Sequence, residues 1–209
     1  GIAGLMQPAM DCAVALPHRS DFKGWIPVSG RGEYRLKSAG LKAVAEKMGL
    51  RPGAKTVTPA LERASSDGYR GFLRGLFDGD GSVQGSQAKG VSIRLAQSDR
   101  ELLQAVQRML LRLGIASTVC ENRRPAGRHI LPDGKGGRRE YDIQTQHELV
   151  IRGDNLAVYA ARVGFADRKK AARLETLLSA YRRRLNRETF TATVESIVDG
   201  GVEEVYDVR

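Results

Sequence analysis

Apolar residues recur at three- and four-residue spacing in several stretches of the chain, and each such stretch predicts an amphipathic helix. One short helix is predicted between a Ser38 N-cap and the stop residue Gly49. A longer helix follows a capping box of Ser98 and Glu101 and ends at Gly114. Its buried stripe comprises Leu102, Leu103, Val106, Met109, Leu110 and Leu113.

Two further helices are predicted toward the end of the chain. Asp154 caps the first, which ends at Gly164, and Asp167 caps the second, which leads to the basic run Arg182–Arg184. Residues 1–32 show no clear period, so no element is predicted there.

Alternating apolar and polar residues predict β-strands. The clearest alternation runs over residues 91–96, and two more strands are predicted at about 115–122 and 141–152. The stretch 123–139 between them is rich in Gly, Pro and Arg, which favours a long exposed hairpin loop.

The net charge and the composition limit the kinds of partner that the protein is expected to bind. The 209 residues include 34 Lys+Arg and 24 Asp+Glu, a formal net charge of +10, which favours a polyanion and places nucleic acid ahead of a membrane surface. No stretch approaches the roughly 20 apolar residues of a membrane span. Cys12 and Cys120 lack zinc-site spacing and are expected to be reduced thiols in a cytoplasmic, DNA-associated protein.

A weak internal repeat suggests that one unit occurs twice, with chance resemblance as the alternative. Its pairs are all separated by 115 positions and include Leu41 with Leu156, Gly49 with Gly164 and Lys55 with Lys170.

Residues 72–83 carry the most informative chemistry. A helix predicted from near Ser66 or Asp67 ends with Asp78 and Asp80, where the helix dipole disfavours anions. A divalent cation such as Mg²⁺, held by carboxylate, carbonyl and water oxygens, would reverse that penalty. The alternative is that Asp-Gly-Asp-Gly forms only a polar turn.

This segment resembles the nine-residue motif of LAGLIDADG homing endonucleases. The matching positions are Leu73, Gly75, Leu76, Asp78, Asp80 and Gly81. Residues 33–187 resemble, more broadly, the endonuclease domains embedded in inteins, with those of ribonucleotide reductases the nearest kind. The resemblance implies an α+β fold built from αββαββα repeats, in which two motif helices pack together.

The resemblance also implies residue roles. Asp80 would bind the metal with help from the Gly79 carbonyl, and two such acids would hold the ions that activate water. Gln97 would order the attacking water, with a solvated strand end as the alternative. Lys170 would stabilise charge near the phosphate, with Lys55 as its counterpart. The neighbouring Lys169 or Arg168 could take this role instead of Lys170, and a basic helix start is the alternative.

DNA recognition is expected from the strands, because a β-ribbon fits the major groove of double-stranded DNA. The 123–139 loop and the basic run containing Arg182 and Arg183 would contact phosphates, with solvated basic surface as the alternative. The candidate base-reading residues are Arg94, Gln97, Arg123, Arg124, Gln144 and Gln146.

Three regions are expected. Residues 1–65 would be a truncated first endonuclease repeat, 66–187 a full repeat, and 188–209 the start of C-terminal intein splicing strands, predicted over Phe190–Val198 and Val202–Val208. Only one motif is visible, so cleavage would require a missing N-terminal repeat or a second copy of the chain. In the precursor, a host protein would flank the intein.

The leading hypothesis is therefore a site-specific, Mg²⁺-dependent double-strand DNA endonuclease of the LAGLIDADG type, carried in an intein and incomplete in this chain. The alternative is a DNA-binding module that keeps the fold without cleaving, as a regulator or splicing cofactor would.

Overall fold

The computed structural model describes residues 3–30, 33–51, 53, 56–86, 90–133, 136–180, 194, 196–199 and 201–202. The helices are α1 (Ala3–Ala15), α2 (Ala39–Lys47), α3 (Pro59–Glu62), α4 (Ser66–Asp80), α5 (Arg100–Arg112), α6 (Asn155–Arg162) and α7 (Arg168–Ser179). The strands are β1 (Trp25–Val28), β2 (Glu33–Leu36), β3 (Gly81–Ser86), β4 (Gly90–Gln97), β5 (Thr118–Arg124), β6 (Gly127–Pro132), β7 (Arg138–Ile143) and β8 (Gln146–Arg152). None of these helices is long and apolar enough to cross a bilayer.

A four-stranded antiparallel sheet in the order β3-β4-β8-β5 organises the second half of the chain. The elements α4, β3, β4, α5, β5, β8 and α6 follow one another as αββαββα, with the β6–β7 hairpin inserted between β5 and β8. This arrangement confirms the predicted α+β fold and its repeat. A separate two-stranded sheet, β1-β2, precedes it.

The hydrophobic core lies between one face of this sheet and the helices. Val91, Ile93 and Leu95 of β4 point into it together with Leu149 and Ile151 of β8. Helix α4 contributes Tyr69, Leu73 and Phe77, one helical turn apart, and α5 contributes its predicted stripe. The opposite face of the sheet carries mostly polar residues.

The predicted helices are present, but two of their caps differ from prediction. Ser38 and Asp167 cap α2 and α7 as predicted. At α5 the cap is Asp99 rather than Ser98, because the Asp99 carboxylate accepts from the Leu102 backbone N–H at 3.0 Å. Asp154 occupies the N-cap position of α6 without forming a side-chain cap hydrogen bond.

The strand predictions need larger corrections. Residues 123–139 are not one long loop, because β5 continues to Arg124 and the hairpin of β6 and β7 fills most of the stretch. The predicted strand 141–152 is two strands, interrupted at residues 144–145. Residues 1–32, where no element was predicted, contain α1 and β1.

Several predictions fall outside the described residues. Lys55, Arg182 and Arg183 lie there, and so does most of the predicted splicing segment 188–209. The few described positions of that segment are not in a strand.

Candidate functional site

Asp80 and Gln97 meet where α4 passes into β3. Asp80 is the last residue of α4, and Gln97 is the last residue of β4. Gly81 pairs with Leu95 in the β3–β4 register, so the ends of helix and strand lie side by side. The Gln97 amide Nε2 donates to the exposed Asp80 carboxylate Oδ2 at 2.8 Å. The structure therefore brings together two of the residues singled out in the sequence.

Asp78 has a different environment. It is 9% exposed, and its two carboxylate oxygens accept from the backbone N–H groups of Ala166 and Asp167 at 3.1 and 3.0 Å. This carboxylate thereby joins the end of α4 to the loop that leads into α7. Both of its oxygens are already hydrogen-bonded to backbone N–H groups, so Asp78 has a structural role at this junction.

Lys170 closes the C-terminal end of α4. Its ammonium Nζ donates to the carbonyl oxygens of Phe77, Asp78 and Gly81 at 3.0, 2.6 and 2.6 Å. A cation at a helix C-terminus is stabilised by the helix dipole, and it offsets the repulsion of nearby carboxylates. The Lys170 ammonium therefore offsets part of the repulsion between the helix C-terminus and the carboxylates, a role that was predicted from the sequence for a metal ion.

Two arginines that were not singled out from the sequence form hydrogen bonds near α4 and β3. Arg74 Nε donates to the Val163 carbonyl at 2.8 Å, and Arg173 Nε donates to the Val83 carbonyl at 2.9 Å. These partners lie far apart along the chain, so no local pattern could have predicted either contact.

Tyr159 of α6 packs against Phe77, with ring centroids 5.2 Å apart. Its side chain is fully buried, and its hydroxyl has no hydrogen-bond partner among the described residues. Burial raises the pKa of the Tyr159 hydroxyl far above its ordinary value, and the negative charge of Asp78 raises it further. Tyr159 is therefore a neutral packing residue.

The donor set at the end of α4 suits a hard divalent cation, although it is small. The Asp80 carboxylate and the Gly79 carbonyl are oxygen ligands of the kind that Mg²⁺ prefers, and both residues are exposed. The described part of the chain contains no group of three or more His, Cys, Asp or Glu residues able to hold a metal. This end of α4 could therefore supply two ligands of a metal site, and the remaining ligands would be waters or groups from another molecule.

The sheet presents a polar surface away from the core, here called the outer face. Cross-strand pairs such as Ser82 with Arg94 and Arg124 with Gln146 lie on it. Its members are Ser82, Gln84, Ser92, Arg94, Ala96, Gln146, Glu148, Val150, Arg152, Thr118, Cys120 and Arg124. This face gathers the predicted base-reading residues Arg94, Arg124 and Gln146, and Arg123 lies next to it.

Two of the predicted base-reading residues lie elsewhere. Gln97 occupies the same side of β4 as Leu95, where it contacts Asp80, because successive strand residues alternate between faces. Gln144 is exposed in the short connection between β7 and β8, outside the sheet. Gln97 and Gln144 are of the residue type that base recognition needs. The alternation of β4 places Gln97 on the other face of the sheet, and the break between β7 and β8 leaves Gln144 outside the sheet.

Glu148 is a member of the outer face that was not singled out from the sequence. Its carboxylate Oε2 lies 2.8 Å from Arg94 Nη1 and 3.7 Å from Arg123 Nε. The available signal was a single acid immediately before the apolar run Leu149–Ile151 of a predicted strand.

The β6–β7 hairpin is a two-stranded ribbon exposed along nearly its whole length. On one side, Arg128 lies 3.8 Å from Glu140 and 3.4 Å from Asp142. On the other side, His129 pairs with Tyr141 across the strands. One side thus has its arginine charge balanced by two acids.

The outward side of α4 is lined by glycine. A methyl group added at Gly71, Gly75 or Gly79 would meet no atom within 4 Å. Phe72 and Leu76, which flank the glycines, are only half-buried. A second helix could therefore approach this side closely.

The chain is similar in sequence to a known domain family and to parts of two enzymes. Residues 67–164 match the family model of the LAGLIDADG-like domain. The alpha subunit of the ribonucleoside-diphosphate reductase NrdEB from Bacillus subtilis is 32% identical over 177 residues, which is 82% of this chain and 16% of that protein. A DNA gyrase protein from Mycolicibacterium flavescens is 28% identical over 148 residues, 70% of this chain and 23% of that protein. The chain thus spans less than a quarter of the length of either relative.

Solved structures of the homing endonuclease I-DmoI are also similar. A mesophilic variant of it aligns with a TM-score of 0.45 and 18% identity, over 78% of this chain and 72% of that one. I-DmoI in complex with DNA and Mn aligns with the same TM-score, identity and coverage.

Proposed function

Because a LAGLIDADG-like domain spans residues 67–164 of this chain, we propose that the protein is a site-specific, metal-dependent endonuclease that cuts both strands of DNA. The observation that carries this proposal is the exposed Asp80 carboxylate, hydrogen-bonded to Gln97 at the end of a sheet with an arginine-bearing outer face. Hydrolysis of a phosphodiester needs an activated water and a means to stabilise the leaving oxygen. An acid held at the margin of a cationic surface is placed to contribute to both.

Asp80 and the Gly79 carbonyl would hold Mg²⁺, which supplies a more acidic bound water and stabilises negative charge on the phosphate oxygens. Gln97 fixes the Asp80 carboxylate through its amide and can hydrogen-bond a water beside it. Lys170 keeps the end of α4 in place, because its three donors go to backbone carbonyls of that helix end. Lys170 therefore acts on Asp80 through the backbone that carries it.

Double-stranded DNA is the substrate that the sheet best fits. The outer face carries Arg94, Arg124 and Gln146, residue types that form paired hydrogen bonds with guanine or adenine edges in the major groove. The formal charge of +10 adds sequence-independent attraction for phosphates. The exposed β6–β7 hairpin adds further arginines, among them Arg138 and Arg139.

An intein is the proposed setting. The two similar proteins have names that describe different enzymes, a ribonucleotide reductase and a DNA gyrase, yet each matches this chain over under a quarter of its length. A segment shared by otherwise different enzymes is expected of a mobile insertion. The host protein would then flank the segment in the precursor, and its uninterrupted gene would be the DNA target.

Two metal sites are needed to cut two strands, and we propose that a second motif helix supplies the second acid. The open glycine side of α4 is the surface on which such a helix would pack, whether it comes from another repeat or from a second copy of the chain. Asp80 lies at the end of that helix, so packing would bring two carboxylates together.

A DNA-binding module without cleavage is the second candidate. It is favoured by the small donor set, since the described residues offer no group of three potential metal ligands. Such a protein would keep the outer face and bind DNA, and Asp80 would have no part in any reaction.

The test is cleavage of an uninterrupted copy of the host gene by the full chain with Mg²⁺, with break sites mapped by sequencing of the new ends. Asp80→Asn should abolish cutting while leaving salt-sensitive binding of DNA intact. Asp67→Asn is the matched control, because Asp67 is an exposed acid at the other end of α4 and is paired with Arg70 at 2.7 Å. Its cutting should equal that of the unmodified chain.

The two candidates give different results. Cutting by the unmodified chain that Asp80→Asn retains would overturn the site assignment. Salt-dependent binding is expected of both candidates, because counterion release makes the affinity fall steeply with salt. Binding that is accompanied neither by cutting of both strands nor by nicking of one strand, under any divalent cation, would favour the binding module.

A further inference from the structure

An acid lies in the middle of the surface proposed to bind DNA. Glu148 belongs to β8, which runs between β4 and β5, and only 12% of its side chain is exposed. The residues opposite it in the two neighbouring strands are Ala96 and Cys120, which are both small. The carboxylate is thus reached by arginines from neighbouring positions, Arg94 on one side and Arg123 on the other.

Arg94 is held at two of its nitrogens. Nη1 lies 2.8 Å from the Glu148 carboxylate, and Nε donates to the Ser92 hydroxyl at 3.0 Å. No residue in the described part of the chain accepts a hydrogen bond from its Nη2, and 29% of the side chain is exposed. A guanidinium has five N–H donors in a planar fork, so Arg94 keeps donors available while its plane is fixed.

An acid at this place weakens the attraction for phosphates. With Glu148 the three side chains carry a single net positive charge, whereas the two arginines alone would carry two. If the surface bound only the phosphates of the DNA backbone, the Glu148 carboxylate would lower the affinity and would add nothing to recognition. Fixing the orientation of an arginine matters for base recognition, because a base edge is read by two hydrogen bonds with defined geometry.

We propose that Glu148 is a positioning residue for base recognition: it holds Arg94, and restrains Arg123, so that the Arg94 guanidinium reads a guanine in the major groove. This inference rests on the proposed function, namely that the outer face of the sheet binds double-stranded DNA. Glu148 itself is too enclosed to be the main reader. It acts through Arg94, and its effect appears in sequence preference rather than in total affinity.

The experiment is selection of bound sequences from a random double-stranded DNA library by the full chain, compared among variants. Glu148→Gln keeps the shape of the side chain and removes its charge. The preference for guanine at one position should fall on the order of 10-fold, since one bidentate contact provides discrimination of that size. Binding of unrelated DNA should stay equal or become tighter, because a negative charge has left the surface.

Two further variants make the test specific. Arg94→Lys should weaken the preference at the same position, because an ammonium can reach guanine but lacks the planar fork that fits its edge. Glu121→Gln is the matched control: Glu121 is also a strand glutamate paired with an arginine, lying 2.7 Å from Arg100 of α5, but half of its side chain is exposed, 47%. Its preference profile should be unchanged.

Each outcome decides between the explanations. A profile that Glu148→Gln leaves intact overturns the positioning role, and a profile that Arg94→Lys leaves intact overturns the assignment of the reader, even if the first variant fails to fold. Loss of the preference for a G·C pair at a different position in Glu148→Gln, with the preference at the position read by Arg94 retained, would make Glu148 a direct reader and overturn the proposal. If the unmodified chain binds no DNA, or binds it without sequence preference, the proposed site-specific function fails; if it binds with a preference that neither Glu148→Gln nor Arg94→Lys changes, only this inference fails.

Discussion

Lys170 Nζ lies 2.6 Å from the carbonyl oxygen of Gly81, the residue that caps α4, so α7 holds in place the helix end that carries Asp80. Lys170→Met would remove this bond together with those to Phe77 and Asp78. Hydrogen bonds to charged groups contribute about 1.5–3 kcal/mol each in favourable cases, and they are not additive. We expect the free energy of unfolding to fall by about 2–4 kcal/mol in urea titrations.

Lys169→Met is the control for that change. Lys169 is the preceding residue of α7 and is exposed, so removing its charge should alter the free energy of unfolding by less than about 0.5 kcal/mol. Equal effects of the two substitutions would show that the carbonyl contacts of Lys170 contribute nothing to stability.

Glu62 gives the fold a predictable dependence on pH. Hydrogen bonds from the Arg108 guanidinium lower the pKa of the Glu62 carboxyl; burial opposes them with a smaller effect, and the charges of Arg108 and Arg112 lower the pKa further. A lowered folded-state pKa stabilises the protein above the unfolded pKa, and this stability is lost as pH falls through the folded value. Glu62→Gln should therefore cost about 1 kcal/mol at neutral pH and progressively less below about pH 4.5.

Arg108→Gln provides the check on this linkage. If the pair is the cause, Arg108→Gln should remove most of the same pH-dependent difference, and the double variant should add little to either single one. Urea titrations at a series of pH values would measure all four proteins. A difference between Glu62→Gln and the unmodified chain that stays constant down to acidic pH would contradict the assignment.

Tyr159 predicts a substitution that stabilises the fold. Its buried hydroxyl has no partner among the described residues, and an unpaired buried polar group costs about 1–3 kcal/mol. Tyr159→Phe removes the hydroxyl and keeps the ring against Phe77, so stability should rise by roughly 0.5–1.5 kcal/mol. Thermal unfolding followed by circular dichroism measures the change.

Tyr69→Phe is the matched comparison. The Tyr69 hydroxyl is hydrogen-bonded to Arg112, whose guanidinium also lies 5.8 Å from the ring centroid. Its removal should destabilise the protein by about 1 kcal/mol. A loss of stability in both variants would mean that the Tyr159 hydroxyl is satisfied in solution.

The sequence predicted helices better than strands, for reasons visible in particular elements. The apolar stripe of α5 has the helical period throughout, and only its cap was wrong, by one position from Ser98 to Asp99. The β6–β7 hairpin was missed because its two strands are exposed on both sides, so no buried face imposes alternation on the sequence. Helix α1 was missed because its residues are mostly small and apolar, without a distinct stripe.

The candidate site divides in the same way. A local motif was enough to select Asp80, and strand order then brought Gln97 beside it. The contacts of Lys170 and Asp78 depend on α7 folding back onto α4 across nearly ninety residues of sequence, which no local pattern encodes. Glu148 acquires its arginine neighbours only through the strand order β4-β8-β5.

The glycine side of α4 provides a final prediction, in which stability and activity move in opposite directions. Gly75 lies in the interior of α4, and a methyl group there meets no atom within 4 Å. Replacing glycine by alanine in a helix interior stabilises by about 1 kcal/mol, so Gly75→Ala should raise the free energy of unfolding by that amount. If another motif helix packs against this side, the same methyl group should reduce cutting of DNA.

Gly85→Ala is the control, because an added Cβ there would lie 2.0 Å from the Gly90 carbonyl oxygen and the backbone φ is +117°. Gly85→Ala should be destabilised, so any loss of cutting in this variant is explained by a damaged fold. A loss of cutting in Gly75→Ala, which should be more stable, would instead be explained by a blocked surface. Urea titrations, sedimentation and cleavage assays on both variants separate the two causes. A Gly75→Ala chain that is more stable, associates as before and cuts normally would contradict packing of a partner helix on this side of α4, since close helix approach leaves no room for the methyl group.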